Sequence, residues 1–191
     1  MSKRKLIRVA IAAILLSGVS ACGHKVDQAV KPPSPFIPTA SIQEIMTSII
    51  DTNADDVWLP VATIITKAGT EEKSPRTDEE WATVRRHAVT LAESGNLLVI
   101  EGRKVAAPGA VTSAVPAELS AEQIQKAIDA HPQDFVVRAQ AFHESVQQAI
   151  VAIDAKNVEG LVKAGGLIDR ACEACHLQFW YPIKKKVAAS S

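Results

Sequence analysis

Between residues 135 and 179, apolar residues recur at alternating steps of three and four. One run is Phe135, Ala139, Phe142, Val146, Ala149 and Ile153. The other is Val158, Leu161, Gly165, Ile168, Cys172, Cys175 and Phe179. These steps follow the turn of an α-helix and draw a narrow apolar stripe along each segment, the seam by which helices pack side by side. A helix with such a stripe must bury it against another element, so the chain is committed to helix-on-helix packing. Asn157, between the runs, is placed to cap the second helix.

The preceding sequence carries the same rhythm. Ile42, Ile45, Met46, Ile49 and Ile50 begin a first helix, and Ala54, Val57, Trp58, Val61, Ile64 and Ile65 continue it, with Pro60 predicted to kink or split it. A polar loop over 69–76 follows. Thr77 and Glu80 form a capping box for a second helix, with Asp78 and Glu79 also in the dipole-favoured first turn and Trp81, Val84, Ala88, Leu91 and Ala92 on one face. Residues 101–117, with Gly102, Pro108, Gly109 and Pro116, read as a long loop. Ser120 and Gln123 repeat the capping box for a short helix that His131-Pro132 ends near Ala130. No segment reads convincingly as alternating with period two. The expectation is an all-α chain forming an antiparallel four-helix bundle over residues 41–191.

The N-terminal 40 residues read differently. Lys3, Arg4, Lys5 and Arg8 precede a short apolar stretch, Val9 to Leu16, and small residues then lead to Cys22. This predicts an export signal over 1–21. Val19-Ser20-Ala21-Cys22 resembles the bacterial lipoprotein box, which implies acylation of Cys22 and a membrane-anchored mature chain. Gly23 in place of Asp favours the outer membrane over the inner. Residues 22–40 contain Pro32, Pro33, Pro35 and Pro38 and suit an extended tether, at ~3.1 Å per residue up to about 50 Å long. The whole chain balances 21 basic against 21 acidic residues. Loss of the signal leaves a net charge of −4, which provides no electrostatic footprint for nucleic acid.

With Cys22 acylated, two cysteines remain, and they stand in Cys172-Glu173-Ala174-Cys175-His176. Three residues apart, they close no long loop, so a disulfide between them would staple little. The string fits C-x-x-C-H, the attachment signature of c-type haem. Two thiols on one helical face can reach the two vinyl groups of a porphyrin, and the adjoining imidazole can bind the iron. A redox dithiol would need a βαβ context, which is not visible. Half a zinc site would need partners such as His131 and His143, whose spacing does not recommend them. A structural lipoprotein holding no haem is the third alternative.

The motif on the last predicted helix of a helical chain resembles the class II c-type cytochromes, the cytochrome c-prime family, over about residues 41–183. The resemblance implies a four-helix bundle with one covalent haem c on Cys172 and Cys175 and His176 as proximal ligand. In that family the first helix covers the distal face of the iron, so the resemblance makes Met46, on the apolar side of that helix, the candidate distal ligand. A thioether there suits electron transfer; core filling is the competing role of Met46. His24, His87 (after Arg85-Arg86, expected at the surface) and His143 are weaker candidates. Many gas-binding members carry a basic residue one turn after the haem histidine. Here that position is Trp180, within Phe179-Trp180-Tyr181.

These readings predict an electron carrier, not an enzyme, serving redox proteins on the periplasmic side of a bacterial membrane. No nucleophile–base pair, phosphate loop or dinucleotide fingerprint is present. The alternative is capture of nitric oxide or carbon monoxide at a five-coordinate iron. Lys184, Lys185 and Lys186 offer a basic end to an acidic partner or simply complement the helix dipole. The resemblance is also compatible with a homodimer built through the first two helices.

Overall fold

A computed structural model describes residues 34–111 and 116–182 of the chain. The export signal, Cys22, the tether up to residue 33 and Lys184–Lys186 lie outside the described residues. The described part is all-α in class, with one small hairpin.

A continuous helical stretch opens at Ser41. Its elements are α1 (Ile42–Ile45), a π-helical segment (Met46–Ile50) and α2 (Asp51–Trp58). Ser41 and Glu44 form a capping box: the Glu44 N–H donates to Ser41 Oγ at 3.2 Å, and the Ser41 N–H donates to Glu44 Oε2 at 2.7 Å. Within the π-helical segment, Thr47 Oγ1 donates to the Gln43 carbonyl at 3.1 Å. Just beyond it, Asn53 Nδ2 donates to the Ile49 carbonyl at 2.7 Å. Side chains that take up helix carbonyls in this way loosen the regular ladder.

The helix stops at Trp58, two residues before Pro60, whose ring cannot continue it. Here the structure corrects the sequence reading. Ile64 and Ile65 do not extend the first helix, and the segment after it is not a plain polar loop. Residues Ala62–Thr66 (β1) and Gly69–Lys73 (β2) pair antiparallel, with Thr66 opposite Gly69 and Ala62 opposite Lys73. The β-branched run Thr63-Ile64-Ile65-Thr66 favours strand over helix, and Gly69 supplies a φ of 137° at the turn. Ile65 is 79 % exposed, so no core contact selects helix there.

Helix α3 (Asp78–Leu98) opens with the predicted Thr77–Glu80 capping box, and α4 (Ala121–Ala130) with that of Ser120 and Gln123. Helix α5 (Pro132–Asp154) begins with proline in its first turn, where no N–H is needed. Helix α6 (Val158–Phe179) is capped by Asn157, whose Oδ1 accepts from the Gly160 N–H at 2.9 Å.

The two seams pack as their spacing requires. Phe135, Phe142, Val146, Ala149 and Ile153 of α5 are buried, with Leu161, Ile168 and Phe179 of α6. Phe135 at the start of α5 meets Phe179 at the end of α6 edge-to-face, with centroids 5.5 Å apart, so the two helices run antiparallel. Arg85 near the start of α3 pairs with Asp154 at the end of α5 at 2.7 Å, so these two also run antiparallel. The loop after α3 is tied down: the Ile42 and Gln43 N–H groups donate to Lys104 and Val105 carbonyls, and Arg103 donates to the Leu97 and Ala40 carbonyls. Among the described residues no helix is long and apolar enough to cross a membrane.

Candidate functional site

Helix α6 stays regular through Cys172, Cys175 and His176. At steps of three and four these side chains share one face of the helix. That face closes a cavity of about 250 Å3, walled by Phe135, Ala139 and Phe142 of α5 and by Met46, Ile50 and Ala54 of the first helical stretch. The structure therefore brings the predicted attachment pair, the predicted proximal ligand and Met46 to one site. Met46 is half-buried and heads the π-helical segment; such distortions recur at functional sites.

Both cysteines are free thiols. Burial pushes Cys172 up to about 11, helped by the negative charges of Asp169 and Asp51. Burial pushes Cys175 up to about 12, against the opposing pull of the Arg138 cation. The thiols are thus held neutral and apolar-facing. Burial lowers the His176 pKa, while Glu173, Asp51 and Glu118 pull it back. Neutral imidazole is the form that ligates metal. The His176 ring is flanked by Trp180 and Tyr181, each with its centroid 5.9 Å away. Tyr181 Oη donates to Glu173 Oε2 at 2.6 Å, which ties this aromatic clamp back to the motif itself. Phe179, by contrast, turns into the core against Phe135.

The other histidines stand elsewhere. His87 is one-third exposed, and its Nδ1 bridges α3 to α2 through Asn53 Oδ1 at 3.0 Å and Asp56 Oδ2 at 3.2 Å. His143 Nδ1 lies 2.9 Å from the Ala92 carbonyl, and His131 lies 3.9 Å from Asp134. Neither lines the cavity with Cys172 and Cys175. Among the described residues no three His, Cys, Asp or Glu side chains gather to hold a metal ion by themselves. His24 lies outside the described residues.

Sequence reasoning missed the charged groups of the cavity: Asp51 and Asp55 on α2, and Arg138 on α5. A signal for Arg138 was present, since it stands three after Phe135 and four before Phe142, inside an apolar stripe.

The donor set fits a porphyrin held at two thiols. It offers two half-buried thiols one turn apart, an imidazole beside them and largely apolar walls. The cavity is smaller than the ~300–1,000 Å3 usual for small-molecule pockets. A planar group fixed to α6 would leave an edge in solvent or spread α2 from α6, and those helices touch far less than α5 and α6 do. Comparison with protein-family models, curated proteins and solved structures finds no match to this chain.

Proposed function

We propose that the chain is a mono-haem c-type cytochrome of class II kind, an antiparallel four-helix bundle that carries single electrons. In this reading Cys172 and Cys175 hold the haem through thioethers, His176 is the proximal ligand and Met46 the distal one. Haem supplies a one-electron change at its iron. The residues around it attach it, hold the imidazole in place and exclude water. The observation that carries the reading is the convergence of Cys172, Cys175, His176 and Met46, from two separate helical stretches, on one largely apolar cavity. The export signal, acylated Cys22 and Pro-rich tether would place the domain on the periplasmic side of a bacterial membrane, the outer one favoured, facing redox protein partners.

One observation favours capture of nitric oxide or carbon monoxide instead. Beside Met46, the cavity lining includes the apolar side chains of Ile50, Ala54 and Leu98, which offer iron no ligand, next to the carboxylates of Asp51 and Asp55. Spin state decides between the two readings.

The test is direct. The full chain is expressed with bacterial haem-ligation machinery and purified. Haem stain that survives denaturing electrophoresis, and is lost in Cys172→Ala/Cys175→Ala, supports covalent attachment. A colourless protein overturns it and leaves a structural lipoprotein. Indifference of the reduced protein to carbon monoxide supports transfer; rapid binding supports capture.

A further inference from the structure

We infer that Arg138 is the counter-ion for a carboxylate of the bound cofactor, a positioning residue aimed into the cavity by Gln178. This rests on the haem reading above and extends it to a residue that the motif does not contain.

Arg138 lines the cavity together with Cys175 and His176, and it is the one arginine or lysine among the described residues that do so. A cation at an apolar wall costs desolvation energy unless an anion or a full set of acceptors meets it. Among the described residues no carboxylate forms an ion pair with Arg138. What holds it is an amide: Arg138 Nε donates to Gln178 Oε1 at 2.7 Å, and Gln178 Nε2 donates to Asp134 Oδ2 at 3.2 Å. Gln178 sits on α6 three residues after Cys175, so the attachment helix itself aims the guanidinium. The charge reaches the attachment site, where it opposes the effect of burial on Cys175.

With Nε taken by Gln178, the two terminal nitrogens remain to receive an anion. A guanidinium pairs with a carboxylate more strongly than a neutral donor does. Haem carries two carboxylates. Asp51 and Asp55 make the α2 wall of the same cavity acidic and repel them, whereas the α5 wall at Arg138 attracts one. The charge asymmetry of the cavity thus selects one orientation of the ring. It would also bias the redox equilibrium, because a cation near the bound cofactor favours the less positive, reduced state.

The experiment is equilibrium redox titration of the purified, haem-stained full chain and its variants. Arg138→Gln is expected to shift the reduction equilibrium about tenfold toward the oxidised form, about 59 mV for a one-electron couple. Arg138→Lys, which keeps the charge, restores most of that shift. Gln178→Leu moves the potential the same way by less. An Arg138→Gln protein that keeps its haem and stays within twofold of wild type overturns the inference, as does a shift that lysine does not rescue. Should Arg138→Gln not accumulate, Gln178→Leu at the wild-type potential overturns it. Absence of haem stain in the wild type sinks the haem reading and this inference together, an outcome distinct from a stained protein with unchanged potentials.

Discussion

The indole of Trp58 lies against the backbone of Gly165. A Cβ at residue 165 would fall 3.0 Å from Trp58 Cδ1 and 3.1 Å from Nε1. Glycine in mid-helix costs roughly 1 kcal/mol relative to alanine, so its presence at the centre of α6 reflects this approach. Trp58 also lines the cavity at Cys172, and the contact thereby sets where the end of α2 sits over the attachment helix.

Gly165→Ala gains helix propensity but overpacks against the indole, a change that typically costs about 1–3 kcal/mol. The expected net result is a loss of about 1 kcal/mol in urea unfolding, with a shift in tryptophan emission. A stabilised variant with unchanged emission would show that Trp58 moves aside freely.

Met46, from the first helical stretch, and His176, from α6, line one cavity. In the haem-loaded protein, oxidised Met46→Ala is expected to pass from low-spin to high-spin, and its reduced form to gain carbon monoxide binding. A wild type that is already high-spin removes Met46 from the ligand set and turns the reading toward gas capture.

The thiols provide a test on protein made without haem. With Cys172 near 11 and Cys175 near 12, against about 8.5 for a free thiol, the reactive thiolate at pH 8 is scarcer than in an unfolded chain by roughly 200-fold at Cys172 and roughly 2,000-fold at Cys175. Alkylation under native conditions should be slower by a similar factor and recover in denaturant. Because the folded pKa values are raised, the fold prefers the protonated thiols. Their contribution to stability is complete below the unfolded value and is lost as pH rises from about 8.5 through about 11 at Cys172 and about 12 at Cys175. Cys172→Ala/Cys175→Ala should flatten that alkaline decline.

Lys156, just past the C-terminal cap of α5, has a φ of 50°, a conformation that costs a side-chain-bearing residue roughly 1–2 kcal/mol and that glycine adopts freely. Its ion pair with Asp78, at 2.6 Å, lies at the surface with Asp78 92 % exposed, and such pairs are worth little. Lys156→Gly should therefore raise the melting temperature slightly, by about 0.5–1 kcal/mol of stability. A drop in melting temperature would mean that the ion pair outweighs the backbone.

What could be read directly from the residues was local. Steps of three and four placed α3, α5 and α6. Thr77 with Glu80, Ser120 with Gln123, and Asn157 marked where α3, α4 and α6 begin, because a cap and the N–H groups it satisfies lie within one turn. The Ser41–Glu44 box marks the start of α1 in the same way. Cys172, Cys175 and His176 share a face for the same reason: their spacing and one helix decide it.

Whatever depended on residues distant in the chain was settled only by packing. Ile64 and Ile65 continue a helical rhythm on paper, but nothing in the core receives them, so their β-branched preference prevails and they form a hairpin. His87, beside two arginines, finds the partners of its ring, Asn53 and Asp56, only when α2 packs against α3. Arg138 reads as an interruption of a stripe until α6 supplies Gln178 and the cavity wall. An apolar period says that a face will be buried; which face it meets, and what charge waits there, depends on helices that the local pattern does not mention.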